Sequence, residues 1–178
     1  MTPSDLLADA VAEGRILLER YLAGFDDANR TKQPPGLPNH AAWQLGHLAL
    51  NMHRVAERLD LSPLPEADFV TGDGRAGGGA GGAGRFDTES VCFASGPVDD
   101  PALYPDWERC VAIFRAAASR LEGALRNAGD GALDRAIPWG RAETTIATLA
   151  MRMVFHNGTH AGQIVDLRRA LGMKGVIG

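Results

Sequence analysis

Cysteine is scarce in this 178-residue chain: Cys92 and Cys110 are the only two, and they form no C-x-x-C spacing. Their scarcity excludes a disulfide framework and a thiolate zinc site, and both are expected to be small apolar packing residues. Basic residues are not in surplus. Lysine and arginine total 18 against 22 aspartates and glutamates, a formal charge of -4. Without a basic excess to neutralise phosphates, nucleic acid is not the expected partner. No apolar run approaches the roughly 20 residues that span a bilayer, and the opening Met-Thr-Pro-Ser-Asp is not the basic-then-apolar order of a secretory signal. The expectation is a cytoplasmic protein with no membrane partner. Also missing are H-E-x-x-H and Glu-x-x-His, which removes a zinc-protease helix and a carboxylate-bridged di-iron site.

The length fits one domain, 1–178, able to bury well over half of its unfolded surface. Helical periodicity is plain in four places. Leu7, Val11, Leu18, Leu22 and Phe25 recur at spacings of three, four and seven, predicting a helix over about 3–25. Thr2, Pro3 and Asp5 mark its start as N-cap, first-turn proline and favourable charge at the helix dipole. After Pro34, Pro35 and Pro38, Asn39 is the expected cap of a second helix reaching Leu59, with Leu45, Leu48, Met52 and Val55 on its apolar face. Trp107, Val111, Phe114, Ala118, Leu121 and Leu125 predict a third. The fourth runs from about Glu143 to Leu171, with Ile146, Leu149, Met153, Ile164 and Leu167 inward and Gly172 as its stop.

Strand signals are almost absent. Residues 60–100 hold no sustained period and contain a glycine-rich stretch whose G-x-G-x-x-G at Gly77, Gly79 and Gly82 lacks the strand before and helix after that a dinucleotide site needs. These elements predict an all-α four-helix bundle with a long crossover loop between the second and third helices.

His156 and His160 stand at i and i+4, about 40° apart around the fourth helix and inside its apolar stripe. Two buried neutral imidazoles meet their polar demand well by sharing a divalent cation. On the second helix, His47 shares a polar seam with His40, Trp43, Gln44, Asn51 and Arg54, all within about 60° of it. Spacing leaves that seam open to two readings, the wall of a pocket or solvated surface. His53 lies about 240° round from His47 and is expected at the surface, whereas His40 is about 10 Å along the axis.

The segments NHAAWQLGHLALNMHRVAERL (39–59) and LAMRMVFHNGTHAGQIVDLRRALGM (149–173) resemble the signature segments of the DinB/YfiT-like superfamily. The resemblance implies an up-down-down-up bundle, frequent homodimers, and a metal site of one histidine from the second helix and two from the fourth. On this chain those residues are His47, His156 and His160. It further implies chemistry on a small-molecule substrate with a low-molecular-weight thiol, making a metal-dependent S-transferase the first functional expectation. Gln44, Asn51, Arg54 and Gln163 share the histidine faces and are the candidate substrate-binding residues; no catalytic base is identified. Three imidazoles leave a divalent ion a free coordination position, and zinc or nickel is the expected metal. Two other readings stay open: a metal-dependent hydrolase using activated water, and a non-catalytic, stress-related metal-binding bundle.

Overall fold

The computed structural model describes residues 1–72, 84–129 and 131–176. The glycines of the G-x-G-x-x-G pattern lie outside these residues. Helix α1 spans Pro3–Tyr21, opened by a reciprocal capping box in which the Thr2 hydroxyl accepts from the Asp5 amide and the Asp5 carboxylate accepts from the Thr2 amide. It stops four residues earlier than the periodicity predicts, and Gly24 at φ +86° turns the chain. Helix α2 spans Ala41–Asp60, and its cap is His40 rather than Asn39, with Nδ1 accepting from the Trp43 amide. Helix α3 spans Trp107–Arg126, capped by Asp106, and α4 spans Ile146–Ala170, capped by Thr145. Both α1 and α2 pack on α3 and on α4, and their apolar stripes close one core around Leu45, Leu48, Phe114, Leu121, Leu149 and Ile164. Among the described residues, no helix is long and apolar enough to cross a membrane.

The all-α bundle expected from the sequence is corrected by two small sheets, which make the chain mixed α/β. In one, β1 (Phe69–Val70) pairs in parallel with β2 (Phe86–Asp87). In the other, β3 (Ala136–Trp139) and β4 (Ala142–Thr145) form an antiparallel hairpin that includes Glu143, predicted as helix. Its two-residue turn places Gly140 first at φ +63°, the glycine position of a type II′ turn. Strands of two and four residues are too short to show a period in a sequence.

The described parts of the connection from α2 to α3, residues 61–72 and 84–106, fold back over α2. Arg109 on α3 donates to the Gly84 carbonyl and to Asp68, and Arg120 grips Asp60 through two nitrogens while reaching the Ser62 and Pro63 carbonyls. As a result residues 41–50 are buried on every side. His53, predicted at the surface, is 2% exposed, with Phe69 edge-on at 5.7 Å and Arg120 Nη1 3.2 Å from Nδ1. What covers it is the returning connection, which periodicity within α2 could not reveal.

Candidate metal centre

His47 lies in the second turn of α2, and His156 and His160 lie on adjacent turns of α4, antiparallel partners across the α2–α4 contact. Among the described residues these three bring their ligand nitrogens within 4.8 Å of one another. The His156 Nε2 atom is 3.2 Å from His47 Nε2 and 3.2 Å from His160 Nε2. Two imidazole nitrogens at about 2.0–2.1 Å from one tetrahedral ion would be about 3.3 Å apart, so the separations suit a shared cation.

The outer nitrogens decide what the inner ones can do. His47 Nδ1 is 2.8 Å from the Val91 carbonyl oxygen, which only accepts, so this nitrogen carries the hydrogen and Nε2 presents a lone pair. Gln44 donates through Nε2 to the Asn39 carbonyl, which fixes its amide and turns Oε1 towards His160 Nδ1 at 3.2 Å. His160 Nδ1 therefore also donates, and its Nε2 is a second lone pair. Asn51 Nδ2, 3.3 Å from His47 Nε2, and the single Nε2 of His156 are the donors within reach of these two lone pairs. A His156 that gives its Nε2 hydrogen turns its own Nδ1 into an acceptor with no partner among the described residues, and one that does not leaves His160 Nε2 unmet. At least one buried acceptor is left unmet, at a cost of about 1–3 kcal/mol. A divalent cation between the three nitrogens satisfies every lone pair at once, so the donor set fits one.

Electrostatics agree with this state. Burial lowers the pKa of His47, His156 and His160, to about 4 for His156 and about 3 for His160, with the neighbouring imidazoles adding to the shift in those two. Neutral rings are what metal ligation requires. Arg54 is a charged side chain that bears on the triad and disfavours protonated His47, and among the described residues no carboxylate joins the three nitrogens within 4.8 Å. The Trp43 indole stacks on His47 at 4.6 Å with 12° between the planes, walling one side.

The sequence profile of the DinB superfamily matches residues 10–164. This chain belongs to the DinB superfamily. A crystal structure of a conserved protein from Enterococcus faecalis shares the fold, with a TM-score of 0.69 at 16% identity over 96% of this chain and 97% of that one. No curated protein matches the chain.

Within this DinB-superfamily site, the four other residues singled out from the sequence occupy different positions. Gln44 is fully buried, and both ends of its amide are used, by Asn39 and by His160. Asn51 is half-buried, donating to the His47 carbonyl at 2.8 Å with the same nitrogen 3.3 Å from His47 Nε2. Arg54 is exposed, and Gln163 is half-buried beside His160 with an Oε1 that has no partner among the described residues. The polar seam on α2 is covered at His40, Trp43 and His47, where residues 91–98 lie on it, and reaches solvent at Arg54. Val91 meets His47, Ser95 Oγ accepts from Trp43 Nε1 at 3.1 Å, and the Val98 carbonyl meets His40 Nε2 at 3.1 Å. Sequence reasoning missed these contacts; two of the three use backbone carbonyls, which every residue type carries.

Proposed function

We propose that this protein is a divalent-metal-dependent transferase that uses a low-molecular-weight thiol, with His47, His156 and His160 as the ligands. The observation that carries the reading is a converging set of neutral imidazoles that feels the charge of Arg54, with no carboxylate joining the three nitrogens within 4.8 Å among the described residues. Such a site favours an anion and supplies no general base. One divalent ion bound there would hold a thiol as its thiolate. A free thiol, with a pKa of about 8.5, needs only a small shift to ionise at neutral pH, whereas water starts at 15.7. With no base to help, sulfur makes the smaller demand on the site.

The chain's own residues have definite tasks in this reaction. Val91 and Gln44 hold two imidazoles with their lone pairs inward, Trp43 shields one side from water, and Arg54 adds positive potential for an anionic reactant. In the transfer, the thiolate sulfur forms a bond to an electrophilic carbon of the substrate while the leaving group departs with the bonding pair, and the thiol proton goes to solvent. The test incubates zinc- or nickel-loaded protein with a panel of small thiols and alkylating electrophiles. Expected is metal-dependent thioether formation that disappears in His156→Ala. Equal turnover of the electrophile without any thiol, or none with every thiol, would overturn the reading.

A further inference from the structure

Gly46 precedes a proposed ligand and sits where no side chain fits. A Cβ there would lie 2.7 Å from Phe86 Cδ1, 2.8 Å from Phe86 Cε1 and 3.0 Å from Val91 Cγ1. Phe86 and Val91 are both fully buried, so neither can swing aside into solvent. The absence of a side chain at Gly46 is what lets residues 84–98 lie directly on α2.

That segment is anchored at both ends. Near its start, Arg109 holds the Gly84 carbonyl, Phe86 is paired with Phe69, and Asp87 accepts from the Gly72 and Glu89 amides and the Ser90 hydroxyl. At its far end the Val98 amide donates to the Tyr104 hydroxyl. Along its length it delivers an acceptor to the N-cap of α2, at His40, and to its first two turns, at Trp43 and His47.

We infer that Gly46 is a positioning residue for metal binding: it lets residues 84–98 seat on α2 and aim the Val91 carbonyl at His47 Nδ1, so that seating of the segment and binding of the ion are one coupled equilibrium. The inference rests on the metal reading of the triad and extends it to residues that touch no ion. An outer acceptor of this kind sets the orientation and basicity of a ligating imidazole, and removing one weakens metal affinity about 10–100-fold. Coupling runs both ways. The segment steadies His47, and an ion on His47 Nε2 strengthens the Nδ1–H bond to Val91 and steadies the segment.

The experiment measures zinc affinity by chelator competition, and amide hydrogen exchange across 84–98 with and without zinc, in wild type, Gly46→Ala and Ser95→Ala. Ser95→Ala removes the half-buried hydroxyl that ties the segment to Trp43 and does not crowd α2. The expected result is a 10–100-fold loss in Gly46→Ala, a loss of roughly fivefold in Ser95→Ala, and zinc-dependent slowing of exchange in wild type. Should Gly46→Ala not fold, Ser95→Ala and the exchange data decide alone. Wild-type affinity in both folded variants, or exchange in 84–98 indifferent to zinc, would overturn the coupling while leaving the metal site intact. Wild-type protein that binds no zinc would overturn the metal reading and this inference together.

Discussion

Replacing Gln44 with leucine should weaken metal binding without touching a ligand. The Gln44 amide is fully buried, with Nε2 donating to Asn39 and Oε1 facing His160 Nδ1 at 3.2 Å. Leucine fills a similar volume but accepts nothing, so the His160 N–H loses its partner in a place water does not reach. An unmet buried donor costs about 1–3 kcal/mol, and each 1.4 kcal/mol is a factor of ten in an equilibrium constant. The ring is also free to turn its Nδ1 inward, which removes the lone pair from the site. Zinc affinity should therefore fall about 10–100-fold, as for other outer partners of ligating histidines. Gln44→Glu should bind zinc at least as tightly as wild type, because a carboxylate accepts more strongly from His160 and offsets the ion's charge. Chelator competition at pH 7.5 reads both variants. A folded Gln44→Leu protein within twofold of wild type would refute the tautomer argument on which the site rests.

Other outcomes follow from neighbouring features. Burial holds His40 and His53 at a pKa of about 4, below the unfolded value of 6.5, so the unfolded chain binds their protons first as pH falls. Their stabilisation, on the order of 3 kcal/mol each, is fully present above about pH 6.5 and is lost as pH drops towards 4; urea titrations should show midpoints falling across that window, and flat midpoints would contradict the neutral buried state. Arg30 is 7% exposed and donates to the Asp27, Pro101 and Pro105 carbonyls. Arg30→Met should cost about 3 kcal/mol or more in chemical denaturation, because these carbonyls lose a shared donor. Zinc at a hundred times its dissociation constant should add about 2.7 kcal/mol to wild-type stability and nothing to a folded His160→Ala variant, as read by thermal melts.

The helices were legible because each has a wide apolar stripe: Leu45, Leu48, Met52 and Val55 on α2 reach the core that their spacing predicted. His156 and His160 were legible for the same reason, since four residues of helix put them on one face wherever the helix goes. His47 could be placed on its helix but not in its surroundings. What faces it is the Val91 carbonyl, 44 residues away, and periodicity carries no information about such a pairing. His53 failed in the same way, covered by a connection whose path depends on Arg109 and Arg120 gripping backbone carbonyls. The β3–β4 hairpin was hidden by its length and by Pro138 within it, although Gly140 followed by Arg141 between two short extended runs is a signal that could have found it.

Metal content of native protein purified without a histidine tag, measured by plasma mass spectrometry beside His47→Ala, His156→Ala and His160→Ala, tests the central claim most directly. One ion per chain, lost in each folded variant, is the result the geometry of the three Nε2 atoms demands. Protein that takes up no ion even when zinc and nickel are supplied would contradict the claim and leave the three histidines as core side chains.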